Sequence, residues 1–161
     1  DLRAWCEATG NHLLDVNDAG DYRIYVVEKG VPLSVVHRLA LVISSPDHDH
    51  LEAPLSLALA AGLEGVQVSI FFEGPAVTIL TAGFGATKPR RWFGPRRRSS
   101  AAEAHARVRQ IHDLGGDLYA CERALGEFEI SPHDLAFERV IHGEYLTFLP
   151  VMEAADIQLL A

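Results

Sequence analysis

From Arg38 onward, short unbroken apolar runs alternate with longer stretches of helical periodicity. "RLALVIS" and "VQVSIFF" are continuous apolar runs, the pattern of strands buried on both faces. Between them, "SPDHDHLEAP" predicts a polar loop and "LSLALAAGLEG" a helix closed by glycine. "PAVTILTAG" then predicts a short helix or turn, and "FGATKPRRWFGPRRRSS" a long irregular loop. In "SAAEAHARVRQIHDLGG" the helix pattern is strong. Ser99 or Ser100 can cap it, Ala102, Ala106, Val108 and Ile111 fall on or near one face, and Gly115 or Gly116 stops it. "DLYAC" reads as a third strand, followed by a helical turn at "ERALGEF". "SPHDLAFERVI" predicts a helix with a serine cap and a proline at its first position. "GEYLTFLPVMEAA" predicts another helix, and "DIQLL" a last strand. Alternation of this kind implies an α/β fold around a parallel sheet.

Residues 1–30 have a different rhythm. "DLRAWCEATGNHLLDV" opens as a helix that brings Leu2, Trp5 and Cys6 to one face and ends at Gly10 or Asn11. "HLLDV" and "YRIYVVEKG" read as two strands, joined by the hairpin turn signal "NDAGD". One short helix and one hairpin bury too little to be stable alone. The segment is therefore expected to be a truncated domain, or one held by something else. The chain opens at Asp1 without a methionine, in keeping with a piece of a longer or processed product. Residues 31–37, "VPLSVVH", read as a linker, and residues 38–161 as the main domain.

Composition narrows the function classes. At 161 residues and 48% hydrophobic, the chain can bury an ordinary core, and no apolar run reaches the roughly 20 residues of a membrane span. A net charge of −8 disfavours general affinity for nucleic acid or an anionic membrane. That charge is uneven: Lys88, Arg90, Arg91, Arg96, Arg97 and Arg98 supply six of the fourteen cations in one short stretch. Such a loop could be solvated surface, or could dock an acidic partner or an anionic substrate. Two cysteines, Cys6 and Cys121, allow neither a disulfide framework nor a four-cysteine metal site, so a reducing cytoplasm is the expected compartment.

Cys121 is the main candidate for chemistry. It ends the "DLYAC" strand, and in open parallel α/β sheets reactive groups gather at the carboxyl ends of strands. A helix start after it would support a thiolate, with Arg123 helping and Glu122 opposing. Position alone leaves two readings open, a packed small hydrophobe and a working thiol. His48 and His50, with Asp47 and Asp49, follow the first strand and belong to the same edge. Their alternate spacing specifies no metal geometry and no third ligand stands out, so no metal is called for; the segment reads as a solvated loop near that edge, with a lid or substrate-contact role open to His48 or His50. Cys6 reads as a core cysteine. The first strand is followed by no phosphate-binding glycine motif, and no G-x-S-x-G elbow occurs, which disfavours nucleotide chemistry and serine hydrolysis.

"LALVISS", "LALAAGLEGVQVSIFFEGPAV", "IHDLGGDLYACERALGEFEISPHDL" and "FLPVMEAADIQLL" together resemble the DsrE/DsrF/TusD-like sulfur-relay family. The element "GGDLYAC", followed by a short helix and "ISPHDL", is the most specific part. The resemblance implies a roughly five-stranded, parallel, doubly wound (Rossmann-like) sheet with helices on both faces. It implies that Cys121 carries sulfur as a persulfide, that no cofactor is needed, and that the chain forms a homo-oligomer. Residues 1–30 are similar to the second helix and last hairpin of a TusA (SirA-like) domain, without that domain's Cys-Pro-x-Pro motif. Sulfur would then pass between Cys121 and donor or acceptor proteins of TusA-like or rhodanese-like type, with the arginine loop (Arg90, Arg91, Arg96, Arg97, Arg98) as a docking surface. Two other readings stay open: a non-catalytic, oligomeric partner-binding domain, and a thiol redox sensor in which Cys6 resolves an oxidised Cys121.

Overall fold

Leu39, Leu41 and Ile43 alternate with Ala40 and Val42 along β3 (Arg38–Ile43), and all but Val42 are fully buried, so this strand has no solvent face. The computed structural model describes residues 2–18, 20, 22–28, 30, 36–84 and 96–161, with residues 8, 9 and 96–100 described by their backbone alone. The chain divides into two compact units, residues 1–35 and 36–161.

The first unit has the helix and hairpin its sequence predicts. In α1 (Leu2–Thr9) Cys6 is buried, and the Asn11 N–H donates to the Cys6 carbonyl at 2.9 Å where the helix ends. Gly10 turns there with φ of 71°, a conformation that favours glycine. β1 (His12–Asp18) and β2 (Arg23–Glu28) pair antiparallel, from His12 opposite Glu28 to Asp18 opposite Arg23.

The second unit is built on β3, β4 (Gln67–Phe72), β5 (Asp117–Cys121), β6 (Ile141–Gly143) and β7 (Ile157–Leu160). Their order across the sheet is β6-β5-β4-β3-β7, and every pairing is parallel. Leu39, Leu41, Val68, Ile70, Leu118 and Ala120 share one face by alternation and register. Against that face lies α2 (His48–Leu63), whose Gly62 comes so near that an added Cβ would sit 3.8 Å from the Val68 side chain. α3 (Arg96–Asp113) packs on α2. Its buried residues Ala104, Val108 and Ile111 follow the i, i+4, i+7 spacing of one helical stripe. The opposite face holds Ala40, Ser69, Phe71, Tyr119 and Cys121, and α5 (Tyr145–Glu153) lies over its centre. The Phe148 ring stacks on Phe71 at 5.2 Å and meets Tyr119 edge-on at 5.0 Å.

Four local expectations are corrected. "SPDHDHLEAP" is loop only as far as Asp47, because α2 starts at His48: the N–H groups of His50 and Leu51 donate to the Asp47 carbonyl at 3.0 and 3.2 Å. The helix absorbs Pro54, which costs one internal hydrogen bond, because Leu51 and Leu55 are fully buried on either side of it. α3 already includes Arg96, so Arg96 to Ser100 are helix rather than loop and cap. On α3, Val108 and Ile111 are buried as expected, but Ala102 and Ala106 are exposed and Ala104 completes the buried stripe. Finally, "SPHDLAFERVI" makes one turn and no α-helix. Its capping box forms, with the Ser131 N–H and hydroxyl both donating to Asp134 at 2.8 and 2.6 Å. Those bonds hold the exposed Asp134 carboxyl below its ordinary range. Tertiary pairing then wins. The Ala136 N–H donates to the Leu80 carbonyl at 2.8 Å, Leu135 bridges Thr81, and Phe137 is buried against the His105 ring at 5.1 Å with the Arg109 guanidinium 5.2 Å above it. The chain emerges as β6, a three-residue strand too short to show a sequence period.

Candidate functional site

A parallel sheet delivers the ends of all its strands to one edge, so residues far apart in sequence meet there. Glu73 follows β4, Cys121 ends β5, and Glu144 and Tyr145 follow β6. β5 lies between the other two, which puts Cys121 at the middle of this group.

Cys121 is both the last residue of β5 and the N-cap of α4 (Glu122–Glu127), with extended backbone at φ −65° and ψ 116°. Its side chain is only 1% exposed. The thiol donates to Glu144 Oε2, with Sγ 3.7 Å away, while the other carboxylate oxygen, Oε1, accepts the Arg123 N–H at 3.0 Å. The sequence reading expected free helix N–H groups beside the sulfur. Instead, Glu144 takes the Arg123 N–H, and a carboxylate is the sulfur's neighbour.

Glu144 is held by the start of α5. The Glu144 carbonyl accepts the N–H of Thr147 at 2.8 Å. Gly143, which pairs with Cys121 across β5 and β6, lies so close to α5 that an added Cβ would fall 2.6 Å from Thr147 Oγ1. A side chain at Gly143 would push that turn, and the carboxylate with it, off the sulfur.

Tyr145 reaches across the end of β5. Its ring lies 5.6 Å from Phe71, and its hydroxyl donates to Glu73 Oε2, so the bond spans from the β6 end to the β4 end. The phenol is held above its ordinary value, first by that bond, then by partial burial and the negative charge of Glu73, with Arg123 opposing.

The other expected site residues spread out. His48 and His50 are in the first turn of α2, beyond β3 and two strands from β5. His48 Nε2 lies 3.5 Å from Glu52 Oε2, an i, i+4 pair along the helix, and His50 is exposed. No hydrogen bond or ion pair joins either to Cys121 among the described residues. No group of three or more His, Cys, Asp or Glu among the described residues could hold a metal ion. Arg123 is beside Cys121, but what it contributes to Glu144 is its backbone N–H. Arg96, Arg97 and Arg98 begin α3, and Arg90 and Arg91 lie outside the described residues. Neither Cys6 nor Cys121 is in a disulfide. No helix of the described residues is long and apolar enough to cross a membrane.

Sequence reasoning missed Glu144, Tyr145 and Glu73. Glu73 was within reach, as the first residue after a clear strand. Glu144 was not, because recognising it depends on β6.

A cavity of about 290 Å³ opens at the other, amino edge of the sheet, on the α5 face. Arg38, Gln67, Ser69, Asp117 and Tyr119 line it together with the last turn of α5. The Asp117 carboxylate accepts from Gln67 Nε2 there at 3.0 Å, and the cavity lining does not include Cys121.

The fold has relatives among solved structures. The crystal structure of the ychN protein from E. coli matches with a TM-score of 0.59 and 17% identity, over 78% of this chain and 99% of that one. The conserved protein of unknown function BT1422 from Bacteroides thetaiotaomicron matches with a TM-score of 0.52 and 11% identity, over 77% and 94%. At such identities the likeness concerns the fold alone. No curated protein matches the chain. The family model described as DsrE/DsrF-like matches residues 37–157, from the residue before β3 to the first residue of β7. With the parallel sheet and its order, that match identifies the chain as a member of the DsrE/DsrF-like family.

Proposed function

We propose that this protein is a sulfur carrier or sulfurtransferase module of cytoplasmic sulfur trafficking, which holds sulfane sulfur as a persulfide on Cys121 and passes it to a partner thiol. The observation that carries this reading is the place of Cys121: the last residue of a central strand, at the edge where a parallel sheet gathers its reactive groups, in a chain of the DsrE/DsrF-like family. Sulfur exchange between thiols needs a sulfur nucleophile and a donor, and neither metal nor nucleotide. Sγ attacks the outer sulfur of a donor persulfide, the donor's S–S bond breaks, and the donor leaves as a thiol. Donors and acceptors would be TusA-like or rhodanese-like proteins. Residues 1–30, read as the latter part of a TusA-like domain, lie outside the family match.

Because Cys121 is 1% exposed, a donor must open its surroundings before transfer. The same burial favours a second reading, an oligomeric partner-binding domain without chemistry. Both readings share an apolar surface on α5, where Leu146 is 81% and Leu149 is 59% exposed, and we assign that surface to a second copy of the chain.

Mass spectrometry separates the two. After incubation with a persulfide donor, or with thiosulfate and a sulfurtransferase, intact mass should show one added sulfur that peptide mapping places on Cys121. Cys121→Ser should remove it. A wild-type chain that gains no sulfur, yet is fully labelled at Cys121 by a thiol reagent after unfolding, would sink the carrier reading and leave the partner-binding one.

A further inference from the structure

Two bonds converge on Glu144: the Cys121 thiol on Oε2, with Sγ at 3.7 Å, and the Arg123 N–H on Oε1 at 3.0 Å. The second fixes the carboxylate while the first aims it at the sulfur. The thiol is buried and Glu144 is half-buried, so water screens this pair less than it would at the surface. We propose that Glu144 makes Cys121 a donor rather than a store of sulfur, by accepting the hydrogen bond of the empty thiol and repelling the loaded persulfide. The proposal builds on the carrier reading above.

The charge balance gives the direction. In the empty state the thiol proton points at Oε2, and the pair carries one negative charge. Loading by a persulfide anion R–S–S⁻ breaks the donor's S–S bond and forms a new one at Sγ. The thiol proton leaves with the donor as R–SH, and Cys121–S–S⁻ remains, so no oxidant or reductant is consumed. The loaded site then has two negative charges side by side and has lost the thiol–carboxylate hydrogen bond. Passing the outer sulfur to an acceptor thiol returns a proton to Sγ and restores that bond. Both differences favour release. Of the other charged groups at this edge, Glu122 on α4 and Glu73, held by Tyr145, add negative charge, and Arg123 opposes them.

Glu144→Gln tests this in the full chain, since glutamine keeps an oxygen for the Arg123 N–H and removes the charge. With reduced protein, alkylation of Cys121 by iodoacetamide at neutral pH should run about tenfold faster in the variant, the effect of one partly screened charge at contact distance. Its pH profile should move to lower pH, which a purely structural role would not cause. Equilibrated with a mixture of glutathione persulfide and glutathione, the variant should hold a larger loaded fraction on Cys121. Cys6, mapped in the same digests, serves as the internal control and should react alike in both. Alkylation that is equal or slower in Glu144→Gln overturns the proposal whether or not sulfur loads. Faster alkylation with an unchanged loaded fraction overturns the donor role. Loading of neither protein overturns the carrier reading itself, and this role with it.

Discussion

The two faces of the central sheet are finished differently. On one, α2 and α3 lie over β3, β4 and β5, and Leu51, Leu55, Ala58, Ala104, Val108 and Ile111 are all buried. On the other, α5 is the helix over the centre, and large apolar side chains stay in solvent: Leu146 and Leu149 on α5, Ile141 on β6, and Leu160 on β7 at 80% exposure. The first face is covered by two helices, although Leu57 and Leu63 on α2 and Leu114 just after α3 are exposed too. The second buries Phe71 and Phe148 against one another and leaves a rim of exposed apolar groups around them. Contiguous exposed apolar groups are the feature by which interaction surfaces are recognised, and this rim is the one assigned above by proposal to a second copy. Cys121 points to this second face, so the chemistry proposed for it would take place beside these exposed apolar groups.

The sharpest test of the difference is truncation on each side. Leu55→Ala, on the covered face, should lower unfolding stability by about 2–5 kcal/mol, because the deleted methyl groups leave a cavity between α2 and the sheet. Leu149→Ala, on α5, should change the stability of a monomer by less than about 0.5 kcal/mol. Urea unfolding of both variants at low protein concentration measures this. Equal losses would mean that α5 is as much a part of the core as α2.

If the second face is covered by another copy, charge placed on it should separate the copies without unfolding them. Leu146→Glu with Leu149→Glu should lower the mass seen by sedimentation or light scattering, with the circular dichroism spectrum and the melt of the monomer kept. A wild-type chain that sediments as a monomer at high concentration would remove the second copy from this face.

How far the sequence reveals these faces depends on the length and burial of each element. β3, β4 and β5 were legible because they are buried on both sides and read as unbroken apolar runs. α5 was legible from its apolar pattern, although which of its residues face solvent was not. β6 was hidden: three residues carry no period, and the capping box at Ser131 announced a helix that pairing with Leu80 and Thr81 ends after one turn. The start of α2 was hidden by its composition, since "DHDH" followed by Pro54 reads as loop until Leu51 is known to be buried. For the site, Cys121 was legible as a strand end. Its partner Glu144 was not, because the bond between them joins two strand ends that are neighbours only in the folded sheet.

The smallest expected effect lies at the amino edge, where both faces meet the turn before β7. Asp156 Oδ2 accepts the N–H groups of His37 and Arg38 at 2.7 and 2.9 Å, which ties the entry of β3 to that turn. These two bonds, His37 first, hold the Asp156 carboxyl below its ordinary value, though the side chain is exposed. A carboxyl lowered on folding stabilises the protein at pH values above its unfolded value of about 3.9 and loses that contribution as pH falls through the lower folded value. Asp156→Ala should therefore unfold at slightly lower urea than wild type at neutral pH, and the gap should close only as the pH is taken below the ordinary carboxylate range. A gap of the same size at the acid end would mean that Asp156 acts through packing rather than through its charge. The edge opposite Cys121 would then be held by side-chain contact, as the covered face is.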